Sequence, residues 1–497
     1  MLKHLKRLLS DTLLFSIITI GTKLVAILFL PFYLRIFSKA LFADQDQVNS
    51  WTMVLTYLFT LGMDAALAFY YFDTKKQGER RIYLSNAIFL SSLISLIITL
   101  VFSFFPAELV SLILTPAGAE QRTTLILACL ATGVSVAVQY LLAYARYERR
   151  IKLFVSGSIS YVAGTNMLCA MLVFFWPKLV VFFAGQLIGP LLVAGVLVYF
   201  LRGEVIWYFS KKHLLRLFYY GIPLVPVLLS HWVLSWIPRY ILYHAGSKSQ
   251  AAIYALVLRL ASIINLVTAP FFLAWRPFSM SLKDRPDAPV LFALVGKLLL
   301  ITGTLAIILL QPLLEPLVRL LNPDYIESSL YFWGIALSVL LNVVQSIFGV
   351  GLLIKKRQFL SAIGFMIAAP LCGIIGWLII PKFGIWAAVA SNLFAYLFIL
   401  IFVIYKNQQV WPLKIQPWRL IVYLAVFISC AIEITIVRQF NLAHQWIYYL
   451  AMIVVLILAV FALQLIPLKH LERFIELAKS TWHEKKHSLT IASKDQD

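Results

Sequence analysis

The sequence predicts an all-helical protein that crosses a membrane many times. Of 497 residues, 62% are apolar and only 13% are charged, against roughly 45–50% and about 25% in a soluble domain. Mean hydropathy is +0.90, and no set of soluble cores hides that much apolar surface. The apolar residues also gather into runs of the length, about 20 residues, that crosses a bilayer core as a helix. Soluble, disordered, fibrous and disulfide-framework classes are thereby excluded.

Fourteen such runs follow one another: 12–37, 51–72, 83–105, 123–145, 153–176, 179–201, 217–243, 252–275, 290–320, 329–353, 359–380, 384–405, 418–437 and 445–466. The first follows Lys3 to Arg7 in the manner of a signal peptide. It continues to Phe37, however, beyond the roughly 7–15 residues of a signal's apolar region, and shows no small-residue cleavage site. It is read as span one. The connections are short, with 38–50 and 106–122 the longest on one side, and none has room for an independent domain.

Charge supports this map. Of 42 Lys and Arg, thirty fall in one set of alternate loops and the termini, and seven in the other set. Shifting the map by one span would scramble that alternation. The positive-inside rule therefore predicts both termini in the cytoplasm. An excess of +21 also raises the prospect of nucleic acid, but that partner needs basic residues clustered on a soluble face. The four cysteines (Cys129, Cys169, Cys372, Cys430) lie in apolar runs without metal-ligand or disulfide spacing, so neither a metal nor a cofactor is expected.

Two segments read as interfacial. Residues 204–216 mix Ile206, Trp207, Phe209 and Leu214 with Lys211, Lys212 and Arg216, as an amphipathic helix on the cytoplasmic surface does. The tail over 467–497 is basic, either docked on anionic lipid or solvated. A faint repeat relates Pro31-Phe32-Tyr33-Leu34-Arg35 to Pro238-Arg239-Tyr240-Ile241-Leu242, each followed by Ser-Lys (Ser38-Lys39, Ser247-Lys248). The expected organisation is thus a first half over 1–203 (spans 1–6), a linker helix over 204–216, a second half over 217–406 (spans 7–12), spans 13–14 over 407–466, and the tail.

Ionisable groups inside spans are costly and mark sites or pairs. Lys23 and Asp64 sit too deep to reach water easily, and a structural ion pair suits them as well as a substrate or coupling role. Arg35, Arg239 and Arg259 fall in the outer halves of spans one, seven and eight. Together with Lys23 they outweigh Asp64, so a positive, water-filled site for an anionic head group is expected, and Arg matches phosphate through its planar fork. Arg239 and Arg259 are the leading candidates, since Arg35 has the alternative of snorkelling to the surface. Lys297 in span nine has the same alternative, inward. Glu315 and Arg319 are spaced as a local i,i+4 pair. His231, mid-span in the seventh, reads as a hydrogen-bonded interior histidine or a proton relay. Pro31, Pro223, Pro226, Pro238 and Pro270 would kink spans one, seven and eight. No Gly-rich phosphate loop, HExxH or Ser/His/Asp arrangement is present.

Several stretches carry a resemblance. They are Leu61-Gly62-Met63-Asp64-Ala65-Ala66, Tyr220-Gly221-Ile222-Pro223-Leu224-Val225-Pro226, Ile253-Tyr254-Ala255-Leu256 through Arg259-Leu260-Ala261, and Ala274-Trp275-Arg276-Pro277. Leu321-Asn322-Pro323-Asp324-Tyr325 and Ile380 to Ala390 follow. In this order the chain resembles the polysaccharide (oligosaccharide) flippases of the multidrug/oligosaccharidyl-lipid/polysaccharide exporter superfamily. The resemblance implies two six-helix lobes in a V around a central cationic cavity, with two extra C-terminal helices. It implies alternating access carrying a polyprenyl-diphosphate-linked oligosaccharide from the cytoplasmic to the outer leaflet of the plasma membrane, not an enzymatic reaction. Asp64 and Arg239 match the family pattern. Where the family often has Asp-Arg near the end of span seven, this chain has Pro238-Arg239, which leaves Arg239 without an acidic partner. An Arg common after the Gly-Met-Asp stretch is replaced by Ala68 and Phe69. A lipid II flippase shares this architecture. A drug/cation antiporter usually has twelve spans, and a membrane-embedded polymerase or ligase needs a larger outer loop. The partners expected are the lipid-linked glycan and enzymes of its pathway (a polymerase or glycosyltransferases), with the transporter a monomer.

Overall fold

The computed structural model describes residues 28–465, with Gly21 and Val25, apart from residues 75, 105, 106, 117, 207 and 441–444. Lys23 and the tail expected over 467–497 lie outside the described residues. Among the described residues there is no strand, and ten helices are long and apolar enough to cross a membrane. In hydrocarbon a backbone must satisfy its own hydrogen bonds, so apolar runs of this length become helices. Phe359–Val410 would span about 78 Å as one straight rod, against a bilayer core of about 30 Å. Gly384, with φ +58, breaks it in two, at the boundary expected between spans eleven and twelve. Span eight is also interrupted, as Lys248–Ala261 and Ile263–Ser281.

Span two departs from expectation. Residues 38–50 read as a loop, yet helix Lys39–Thr60 begins directly after Ser38, whose side chain accepts a hydrogen bond from the Leu41 amide. The polar run that suggested a loop is buried instead: Gln45, Asp46, Gln47 and Ser50 all face the interior. The helix then breaks at Leu61 (φ +44) and Gly62 (φ +70) and resumes as Met63–Asp73. Ser247 caps Lys248–Ala261 in the same way, through the Gln250 amide. The two Ser-Lys positions of the faint repeat thus perform the same local task, starting the span that follows.

Span seven bridges the helices before residue 204 and those after residue 224, here called the first and second groups or halves. The linker is helical only from Lys211. Lys211–Gly221 packs on Met63–Asp73 and Gln77–Ser103 of the first group, and a short 3-10 turn, Ile222–Leu224, intervenes. Val225–Ala245 then packs on Phe359–Val410 of the second group. Pro223 and Pro226 at this turn each remove a backbone donor. At the linker's start Glu204 is buried, accepting from Arg81 Nε (2.7 Å), Arg150 Nη2 (3.1 Å) and the Tyr144 hydroxyl (3.1 Å). That carboxylate ties together the basic ends of spans three, four and six.

The apolar cores show how the groups meet. One core runs through the second group and crosses into the first at Phe42, Val110, Leu125 and Phe182. A separate core, with Phe59, Met63, Tyr83, Tyr144 and Leu197, lies in the first group toward the basic loops that hold Arg81 and Arg150. The groups therefore share a core at the far end and keep distinct cores at the basic end. Span thirteen is fastened to the second group: Arg438 donates to Glu315 (2.8 Å) and to the Ser329 hydroxyl (2.9 Å), and Trp333 Nε1 donates to Thr435 (3.0 Å). Glu315 also takes the expected i,i+4 contact from Arg319, at 3.1 Å.

Candidate functional site

The site lies where span two meets spans seven and eight at the far end. In a helix, residues four apart share a face, and Phe42, Asp46 and Ser50 form such a row on span two. Arg239 Nη1 reaches Asp46 Oδ2 at 3.0 Å and the Ser50 hydroxyl at 3.1 Å. Arg259 Nη2 reaches Asp46 Oδ1 at 3.4 Å, and its guanidinium lies 4.5 Å from the Phe42 ring centre. Trp232 Nε1 donates to the Ser50 carbonyl at 2.6 Å.

Asp46 is thus the acidic partner of Arg239 that the sequence seemed to lack. Both arginines come from the second group and the aspartate from the first, so the ion pairs cross between halves. The Asp46 side chain is 9% exposed and those of Arg239 and Arg259 are 21% and 30% exposed. At that depth the pairs are weakly screened. The stoichiometry is uneven, one carboxylate for two guanidiniums, and among the described residues the buried Arg239 Nε has no hydrogen-bond partner.

A second cross-link flanks the first. Asp44 Oδ1 accepts from Lys248 Nζ (2.6 Å) and from the Tyr243 hydroxyl (2.5 Å), and Lys248 also donates to the Thr115 carbonyl. Beside it runs an aromatic column. Trp232 stacks on Trp236 at 4.5 Å, Trp236 meets Tyr240 at 4.4 Å, and Trp51 of span two closes on Trp236 at 5.3 Å. Ion pairs and rings together bridge span two to spans seven and eight at the far end.

The other candidate residues lie elsewhere. Arg35 donates to the carbonyls of Leu320 (2.7 Å) and Leu321 (3.1 Å), the C-terminal end of helix Ala288–Leu321. Its charge is occupied at a helix end, where cations are favoured. Asp64 stands exposed in the first turn of Met63–Asp73, with no hydrogen bond or ion pair among the described residues. His231 packs its ring on Phe365, with centroids 3.9 Å apart. Lys297 is buried in span nine, 8% exposed. Asp44 and Asp46 are the residues that sequence reasoning passed over, because Asp44-Gln45-Asp46-Gln47 reads as loop. The available signal was Ser38 as a helix cap, which puts both acids inside a helix.

The family model described as "Polysaccharide biosynthesis protein" matches residues 8–283, more than half of the chain. The chain belongs to that family. The match takes in spans one to eight and with them Asp46, Arg239 and Arg259. No curated protein matches the sequence. Among solved structures, family member and "Lipid II flippase MurJ, inward closed conformation" superpose with a TM-score of 0.66 at 15% identity, covering 91% of this chain and 98% of that one. A multidrug resistance MATE family transporter of the MOP superfamily, inward-facing, gives 0.57 at 12% identity, covering 78% and 94%. A MOP superfamily transporter from Pyrococcus furiosus gives 0.51 at 10% identity, covering 80% and 95%. At such identities the likeness is one of fold. The protein is a multi-pass member of that family, its long apolar helices arranged in the fold shared by these MurJ and MATE structures.

Proposed function

We propose that the protein flips a polyprenyl-diphosphate-linked oligosaccharide, a polysaccharide repeat unit, from the cytoplasmic to the outer leaflet of the plasma membrane. The chain crosses fourteen times with both termini and the basic loops in the cytoplasm, and works as a monomer beside the polymerase or glycosyltransferases of its pathway. The observation that carries this reading is the shared aspartate: two arginines facing one carboxylate leave a positive charge and an unused Nε. A diphosphate brings the missing negative charge, and guanidinium forks bind phosphate oxygens two at a time.

Function follows from competition. The separate cores at the basic end favour opening of the halves toward the cytoplasm, while the far end is latched by Asp46. A diphosphate entering from the open side takes Arg239 and Arg259 from Asp46. The latch then loses its counter-charge, and the far end parts to release the glycan outward. The prenyl tail stays in the bilayer at the gap between halves, flanked by spans 13–14. No covalent bond changes. Asp64, exposed and without a partner among the described residues, is the residue through which a proton, sodium ion or the membrane potential couples to the cycle. Lys23, which lies outside the described residues, is expected to add positive charge for the substrate, and Arg35 holds span one to the end of span nine. His231 and Lys297 stand outside the phosphate path.

The test is Arg239→Gln together with Arg259→Gln in cells that depend on this chain for surface glycan. Each charged hydrogen bond contributes about 1.5–3 kcal/mol, so export is expected to fall about a hundredfold or more at unchanged protein level. Export retained in the double variant overturns the reading.

A further inference from the structure

Away from the site, three positive features gather at the basic end of spans nine and thirteen with no acidic partner among the described residues. Lys297 is more than nine-tenths buried, and among the described residues it forms no hydrogen bond or ion pair. Arg419 stands in the first turn of helix Pro417–Gln439, which packs on the helix Ala288–Leu321 that carries Lys297. Among the described residues, Arg419 Nε is itself buried without a partner, and its Nη1 finds only the Gln464 carbonyl, at 3.5 Å. The helix that carries Arg419 starts at Pro417 without a side-chain cap, so its first amides add the positive end of a helix dipole. Two basic side chains beside a helix N-terminus, partly desolvated, repel one another and favour an anion among them.

The surroundings say where the counter-ion comes from. Trp418, next to Arg419, is 58% exposed and lies beneath its guanidinium at 5.4 Å. Ile421 and Val422, one turn on, are exposed as well. An exposed Trp above exposed aliphatics on a spanning helix marks the depth of lipid head groups. We propose that the notch formed by Lys297, Arg419 and the start of helix Pro417–Gln439 binds the phosphate of an anionic membrane lipid. It is a site separate from Arg239 and Arg259. Because Arg438 fastens span thirteen to spans nine and ten at its other end, the lipid clamps the basic end of span thirteen to the second half, leaving the first half free to move.

The experiment uses the purified full chain in detergent. Binding of dioleoyl-phosphatidylglycerol is compared with that of dioleoyl-phosphatidylcholine and inorganic phosphate, by native mass spectrometry and thermal midpoint. Phosphatidylglycerol is expected to bind preferentially. Lys297→Met with Arg419→Gln is expected to weaken that binding about thirtyfold, the loss for two basic residues facing an anionic head group. Arg419→Gln alone gives a partial loss and serves if the double variant does not fold. Equal lipid binding by wild type and variants overturns the proposal, as does a response to inorganic phosphate equal to that of the lipid. A third result also contradicts it: binding that emerges only in Glu472→Gln/Glu476→Gln would show that the chain's own tail fills the notch.

Discussion

Asp46→Asn is expected to unlatch the far end. The substitution keeps the shape of the side chain but leaves Arg239 and Arg259 facing each other with no carboxylate between them. Breaking a buried pair by removing one partner costs about 3–5 kcal/mol, a change of about two to four powers of ten in the ratio of closed to open forms. Spin labels at Lys178 and Lys382, exposed positions on the first and second halves, report the separation. The expected result is a longer and broader distance distribution in Asp46→Asn, restored by Asp46→Glu. Asp44→Asn is expected to act in the same direction but less strongly, because Lys248 retains the Thr115 carbonyl as a partner. An unchanged distribution in Asp46→Asn would mean that the aromatic column of Trp51, Trp232, Trp236 and Tyr240 closes this end by itself.

At the opposite end the largest effect is expected from the two glycines that meet there. A Cβ on Gly62 would sit 2.4 Å from the Gly221 carbonyl oxygen, and one on Gly221 would sit 2.3 Å from that of Leu61. Both obstacles are backbone and cannot rotate away. Gly62 also has φ +70, where a side chain costs about 1–2 kcal/mol more. Gly62→Ala and Gly221→Ala are therefore expected to push Lys211–Gly221 off span two. Overpacking of this kind costs about 1–3 kcal/mol. Labels at Gln77 and Lys212 should move apart, and transport should fall because span seven no longer bears on the first half. Gly78→Ala, where a Cβ meets open space, is the control expected to change nothing. Unaltered label distances in both variants would show that this contact is not what holds span seven.

Most of the fold was legible because the bilayer leaves a chain few choices. An apolar run of sufficient length is a helix, and the charge alternation orders the runs. Legibility failed where a polar segment folds into the interior. Asp44-Gln45-Asp46-Gln47 looks solvated until Arg239, Arg259 and Lys248 arrive from more than 190 positions away, and no local pattern announces partners at that separation. The same distance explains why Arg239 seemed unpaired. Arg239 and Arg259 themselves stood out as cations that interrupt apolar runs. Arg35 stood out for the same reason, yet it serves carbonyls at the end of helix Ala288–Leu321, an end that only the packing of span one against span nine brings near. Span seven was readable in outline from Pro223 and Pro226, but not the division of its two parts between the halves.

The central claim, that the cargo is a lipid-linked glycan, is tested most directly in cells depleted of this protein. Their lipids are extracted and searched by mass spectrometry for polyprenyl-diphosphate-linked glycans. The account predicts accumulation of a short oligosaccharide unit on its lipid carrier, together with loss of surface polysaccharide. Accumulation of the peptidoglycan precursor instead, or no accumulation with surface glycan intact, would contradict it.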